Sequence, residues 1–379
     1  MTIGIDANWA IYENAGIGKY SYFLIKELLT QDRENNFVLF ANFFRNYEQR
    51  KAFLEQIVKE SGNKKTKIYI SKIPSQWRDW ITQTSIPLRL IFNCHIDVYY
   101  SPYFGGIAVN GFKKQAVTIH DIAFIKYPEH INGGLRDYYL KRTKIATDKS
   151  DLIIAVSEST KKDLVDSLSI PSNKIQVVYE GVDKKIFYPR EKLVSQTRLK
   201  KYGINKPYIL SVCTLEPRKN LEKLIDAFGL LDKKLLDQYQ LVLVGKNGWN
   251  NDLLMSKINK LKKSKRAITT GYVPDEDLPY FYSGAELFVY PSLYEGFGLP
   301  PLEAMASGCP VITSNISSLP EVVGSSEILV DSDSVKEIQQ AIVKKLNEKK
   351  ADNQESARQA SNFSWESSAK KMLALLNNI

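Results

Sequence analysis

Cysteine is scarce: a chain of 379 residues holds three, Cys94, Cys213 and Cys309. They are too few and too scattered for a disulfide framework or a thiolate metal site, and a reducing, cytosolic setting is expected. Histidine is as rare, and no two of His95, His120 and His130 have metal-ligand spacing, so no metal site is expected, and no cofactor is expected beyond a substrate. No apolar stretch approaches the roughly 18–20 residues of a membrane span. Met1–Asp6 reads as a first strand rather than a signal peptide, which argues against export. No block of five or more like charges occurs, which argues against a disordered nucleic-acid tail.

What is present is an ordinary globular composition, with 44% hydrophobic, 25% charged and 11% aromatic residues. At this length two or three domains are expected. The net charge of +10 calls for an anionic partner such as phosphate groups, a lipid surface or nucleic acid. Residues 51–150 hold 16 basic against 8 acidic side chains, so most of the excess is local.

Short Val/Ile/Tyr-rich runs alternate with helical patterns, which predicts an α/β protein with doubly wound parallel sheets. One set of runs extends from Ile3–Ala7 to Ile175–Tyr179, a second from Tyr208–Val212 through Leu241–Val244, Leu287–Tyr290 and Val311–Thr313 to Ile328–Val330. Turn residues Gly181–Arg190 and a polar stretch to Tyr202 separate them, so domains of 1–188 and 189–363 are expected. Ser364 would cap a final helix over about 364–379, a candidate to pack on the first domain. Ligands of such sheets sit beyond the carboxyl ends of the strands, here in a cleft between the two domains.

Three stretches could carry chemistry there. Asn14-Ala15-Gly16-Ile17-Gly18-Lys19 opens a helix, and its glycines suit either a phosphate contact or only a tight turn. Glu216-Pro217-Arg218-Lys219-Asn220 places two cations at a strand-to-helix turn, either a diphosphate clamp or a solvated pair. The densest is Glu295-Gly296-Phe297-Gly298-Leu299-Pro300-Pro301-Leu302-Glu303. Glu295 would lie in a loop and Glu303 in the first turn of a helix. One carboxylate would meet sugar hydroxyls, the other a ribose, with a phosphate at the intervening N–H groups; a capping Glu303 and an exposed Glu295 are the bland alternative.

That two-glutamate segment resembles the retaining glycosyltransferases of family 4, which have the GT-B architecture of two facing Rossmann-like domains. Thr118-Ile119-His120-Asp121, Val156-Ser157-Glu158-Ser159, Glu180-Gly181-Val182-Asp183 and Gly271-Tyr272-Val273-Pro274 also occur in the family's order, so the resemblance covers nearly the whole chain. It implies that Glu295 contacts the donor sugar and Glu303 the ribose. Arg218 and Lys219 would clamp the diphosphate, with the backbone of Gly16 and the N–H groups near Gly298 and Leu299. Tyr272 and Val273 would lie near the base, and His120, otherwise a core histidine, would face the transferred sugar. Many relatives carry Gly-Arg shortly before the basic pair, where this chain has Cys213 and Thr214; the clamp would then rest on Arg218 and Lys219.

The resemblance also implies retention of anomeric configuration, with no divalent ion needed. The wording of the motifs is closest to bacterial mannosyltransferases, so GDP-mannose is the expected donor, with UDP-glucose, UDP-N-acetylglucosamine and dTDP-rhamnose as alternatives. A glycan or polyprenyl-linked acceptor in cell-surface polysaccharide synthesis, such as lipopolysaccharide, is expected. Trp77-Arg78-Asp79-Trp80 and Ile86–Phe92 are either core faces or a basic-aromatic surface for the inner face of an anionic membrane. A nucleotide-sugar epimerase and a non-catalytic binding module are the readings from other classes, and no nucleic-acid motif supports that partner.

Overall fold

The computed structural model describes residues 1–11, 16–43, 45–72, 95–105, 112–131, 133–249, 251–348 and 354–379. Trp77–Trp80, Ile86–Phe92 and Cys94 therefore lie outside the described residues. The chain forms two compact units, Met1–Gly181 with Ser364–Ile379, and Val182–Phe363. The division falls at Gly181–Val182, not at the expected Tyr188. Val182 and Phe187 are buried in the second unit, where the Phe187 ring meets that of Tyr282 at 6.0 Å. The stretch up to Tyr202, expected as a linker, is folded there too. Its helix Lys192–Leu199 is too short to show periodicity in sequence, but Arg198, Lys201 and Tyr202 converge on the fully buried Asp277.

In the first unit the strands are β1 (Thr2–Asp6), β2 (Asn36–Asn42), β3 (Thr66–Ser71), β4 (Val98–Ser101), β5 (Lys114–Ile119), β6 (Leu152–Ala155) and β7 (Ile175–Val177). They form one sheet in the order β3-β2-β1-β4-β5-β6-β7, all pairings parallel. Helices cover both faces, which is why the central strands are apolar without alternation. The helix Gly16–Gln31 buries Tyr20, Leu24, Ile25, Leu28 and Leu29. Against it packs the helix Trp365–Asn377, whose cap Ser364 accepts the Ser367 N–H at 3.2 Å. The Trp365 ring stacks on Phe23 at 5.6 Å. Gly181 passes this helix so closely that a Cβ there would stand 2.2 Å from the Trp365 nitrogen.

The second unit contains β8 (Tyr208–Val212), β9 (Gln240–Val244), β10 (Ala267–Gly271), β11 (Leu287–Tyr290), β12 (Val311–Ser314) and β13 (Ile328–Val330). Their order is β10-β9-β8-β11-β12-β13, again parallel. In each sheet the strand order reverses direction once, between β1 and β4 and between β8 and β11. Register pairs Ile209 with Leu287, so β8 and β11 end side by side. The carboxyl ends at such a reversal leave a crevice that the following loops line, which fixes where binding side chains gather.

Candidate functional site

At the β8–β11 crevice the chain leaves β8 and enters a single turn, Pro217–Lys219, closed by Asn220 at φ 55°. This left-handed position is tolerated because the Asn220 side chain is itself fixed, Nδ2 donating to the Ser332 carbonyl at 2.7 Å. From β11 the loop 291–298 crosses to the same place, where the Leu293 N–H donates to the Arg218 carbonyl at 2.8 Å. Two loops from neighbouring strands are thus joined by backbone, and their side chains meet.

Lys219 Nζ lies 2.6 Å from Glu295 Oε1, and the same oxygen accepts from Tyr290 Oη at 2.8 Å and Ser292 Oγ at 2.6 Å. Arg218 Nη1 is 3.3 Å from Glu295 Oε2, while its Nη2 is 2.7 Å from Glu216 Oε1. Burial alone would push the Glu295 carboxyl up; the charges of Lys219 and Arg218, with the Lys219 and Ser292 hydrogen bonds, outweigh it and hold it at about 2. Tyr290 is driven the other way, its phenol raised well above the ordinary value by burial and then by Glu295, so it is a neutral donor. Glu295 is therefore an ionised carboxylate saturated with donors. An anion arriving at Arg218 and Lys219 must share or replace it.

The next helix, Leu299–Ala306, begins after Gly298 at φ 119°. Pro300 and Pro301 bring no N–H, so the free donors of this helix start are the amides of Gly298 and Leu299. Because the helix starts at Leu299, Glu303 is its fifth residue and lies in the second turn, not the first as expected. Glu303 is buried, and its Oε2 accepts from Tyr282 Oη at 2.9 Å. Tyr272 and Val273 follow β10 at the sheet edge, apart from the Arg218–Lys219–Glu295 cluster. Tyr272 is exposed, with Lys246 Nζ 4.9 Å from its ring centre, and Val273 is buried.

In the first unit His120 follows β5 and is buried. Its Nδ1 is 3.2 Å from Glu180 Oε1 and its Nε2 2.9 Å from the Pro102 carbonyl. A sugar contact through this ring requires one of those partners to be exchanged. Gly16, the first residue of its helix, is exposed, and a Cβ there would meet nothing within 4 Å.

Two Asp-x-Asp spacings occur in the second unit, yet neither forms a metal centre: Asp277 is held by Arg198 and Lys201, and Asp331 Oδ1 accepts the Asp333 N–H at 2.9 Å. Among the described residues no group of three or more His, Cys, Asp or Glu is placed to hold a metal ion.

Residues 15–185 match the family described as Glycosyltransferase Family 4, and residues 195–363 that described as Glycosyl transferases group 1. O-antigen chain mannosyltransferase B of Escherichia coli is 36% identical over 273 residues, 71% of each chain. The chain belongs to glycosyltransferase family 4. A serotype-specific mannosyltransferase of Escherichia coli, WbdA, is 33% identical over 268 residues, which is 68% of this transferase but only 32% of that protein, so the match spans about a third of its length. Sucrose-phosphate synthase of Thermosynechococcus elongatus superposes with a TM-score of 0.75 over 100% of this chain and 98% of its own, at 19% identity. Anabaena HepE, solved with UDP and glucose, gives 0.71 over 100% and 99%, also at 19% identity. These likenesses show the GT-B fold.

Where the resemblance leads one to expect Gly-Arg, this transferase has Cys213 and Thr214. Cys213 packs into the core of the second unit, its thiol raised to about 12 chiefly by burial, while Thr214 is exposed. Neither supplies a cation. Sequence reasoning gave no role to Glu216, Tyr290, Ser292 or Ser317, although each fixes a site residue. Ser317, at φ 52°, accepts the Glu295 N–H at 3.1 Å. The signal that could have found it is the polar Thr313-Ser314-Asn315 run leading into Ser317 at a strand end, a place where a loop meets the crevice.

Proposed function

We propose that this glycosyltransferase moves a mannosyl residue from GDP-mannose, with retention of configuration, onto a glycan or lipid-linked glycan of a cell-surface polysaccharide. The observation that carries the donor site is the meeting of Lys219, Arg218 and Glu295 at the β8–β11 crevice. The mannosyl assignment draws on the relatives, an O-antigen chain mannosyltransferase among them.

Negative charge grows on the departing diphosphate as an oxocarbenium-like sugar forms. Arg218 and Lys219 receive that charge, with the Gly298 and Leu299 amides at the start of a helix and the backbone at Gly16. Glu295, held ionised with three donors on one oxygen, is a poor nucleophile and no base near neutrality; it instead orients cations and accepts from the donor's hydroxyls. The leaving phosphate then takes the acceptor proton. Glu303 receives the ribose hydroxyls, Tyr272 and Val273 border the base, and His120 faces the sugar. No divalent ion is needed.

Thermal shift and donor hydrolysis across GDP-mannose, UDP-glucose, UDP-N-acetylglucosamine and dTDP-rhamnose test the reading. GDP-mannose should stabilise the protein most; stabilisation by none of the four overturns the donor site. Glu303→Ala should weaken nucleotide binding, whereas Glu295→Ala should damage transfer more than nucleotide affinity. The reverse pattern exchanges the two roles.

A further inference from the structure

His120 and Glu180 pair in the first unit with little exposure, and the reaction scheme gives Glu180 no task. Glu180 follows β7, two strands away from the end of β5 that carries His120. Both are buried, Glu180 at 5% and His120 at 8% exposure, and burying a polar side chain is unfavourable unless it finds a hydrogen-bond partner. Here the partner is Nδ1 of His120, 3.2 Å from Glu180 Oε1. At the other side of the ring, the Pro102 carbonyl, 2.9 Å from Nε2, can only accept. Each ring nitrogen thus faces an oxygen that can take a hydrogen bond, and the two contacts together fix the orientation of the ring.

Among the described residues no other polar side chain is hydrogen-bonded to those nitrogens. The rings of Tyr20 and His120 meet at right angles, their centres 4.5 Å apart at 87°. Its hydroxyl belongs to a closed triangle with Tyr100 (3.0 Å) and Thr118 (3.0 Å), whose own separation is 2.7 Å. The His120 carbonyl accepts from Thr160 Oγ1 at 3.2 Å, which fixes the backbone. Glu180 is fixed in turn: the neighbouring Tyr179 carbonyl accepts from Ser368 Oγ at 2.6 Å, and Gly181 lies against the backbone of Ser364 and Trp365.

We propose that Glu180 is a positioning residue: its contact at Nδ1 aims the His120 ring so that Nε2 is turned to the transferred sugar, exchanging the Pro102 carbonyl for a sugar hydroxyl. The proposal rests on the reading that His120 faces the sugar. Carboxylate–histidine pairs of this kind set which nitrogen carries the proton and how the ring is aimed.

The experiment compares Glu180→Met, Glu180→Gln and His120→Ala in donor hydrolysis and transfer with GDP-mannose, alongside long-range 1H–15N spectra of the three histidines. Glu180→Met should lower kcat by about 10–100-fold with donor KM within about threefold, and Glu180→Gln, which keeps a hydrogen-bond partner for Nδ1, should recover much of that loss. The spectrum should show the Nδ1 resonance of His120 displaced in Glu180→Met relative to the unaltered protein and largely restored in Glu180→Gln, a readout independent of turnover and of a general loss of stability. The proposal is overturned if Glu180→Met leaves the Nδ1 signal unchanged, or if it keeps full kcat while His120→Ala loses it. If His120→Ala itself transfers normally, the reading of His120 falls and takes the proposal with it.

Discussion

Lys219 and Glu295 come from loops after different strands, 76 positions apart, yet Nζ and Oε1 stand 2.6 Å apart in the interior of the second unit. A pair about nine-tenths buried is sensitive to the loss of either member, because the remaining charge keeps little contact with water. Arg218 bridges the same carboxylate to Glu216, so two cationic and two carboxyl side chains meet where the loops after β8 and β11 join.

Lys219→Met should therefore destabilise the protein by about 3–5 kcal/mol. The pH dependence has a definite sign. The folded-state carboxyl of Glu295 is depressed from 4.5 to about 2, so its contribution is complete above pH 4.5 and is lost as pH falls toward 2. Urea unfolding across that window should show the unaltered protein losing stability with acid, and Lys219→Met losing less across it, having less depression to lose. Equal acid sensitivity in both would disprove the coupling.

Two glycines should respond oppositely to alanine. Gly181→Ala forces a Cβ to 2.2 Å from the Trp365 nitrogen and 2.5 Å from the Ser364 carbonyl carbon, contacts that only backbone movement relieves. A loss on the order of 3 kcal/mol is expected, beyond the usual range for a surface change. Gly16→Ala meets nothing and sits at a helix start, so its melting temperature should stay the same or rise. Any fall in donor affinity in Gly16→Ala then reports on the ligand and not on the fold.

Tyr282→Phe removes the hydroxyl that donates to Glu303 Oε2 at 2.9 Å and leaves the ring in place. Nucleotide affinity should drop by roughly tenfold, the worth of one hydrogen bond to a charged group. Calorimetric titration with GDP checks this; unchanged affinity would mean that the Tyr282 hydroxyl does not set Glu303 for the ribose.

Transfer should survive EDTA. Arg218, Lys219 and helix amides are the only charge-bearing groups the scheme assigns to the diphosphate, so chelation should leave kcat within about twofold. A collapse of activity restored by a divalent cation would refute the metal-free scheme.

The strands were legible in sequence wherever they are buried on both faces, as at Tyr208–Val212 and Leu287–Tyr290. The exception, β10 (Ala-Ile-Thr-Thr-Gly), is an edge strand, and four of its five residues are only partly buried. With one neighbour it needs fewer apolar side chains, so its pattern resembles a loop. Glu295 and Glu303 stood out because glycines and prolines punctuate the segment between them. Glu180 and Glu216 did not, because a carboxylate that aims another residue leaves no spacing of its own; its meaning arises only when β7 is laid near β5, or when a turn folds Glu216 back on Arg218. The boundary was misplaced for a similar reason: Val182–Phe187 looks irregular as a string yet supplies buried apolar side chains to the second unit.

Because the first unit is built from Met1–Gly181 and Ser364–Ile379, its order of completion during synthesis is reversed. The ribosome delivers all of Val182–Phe363 before the helix that covers Tyr20, Phe23 and Gly181 exists. The unit that begins first is finished last, and a nascent chain arrested before Ser364 would present a folded second unit beside a first unit with its aromatic seam open to water and to chaperones.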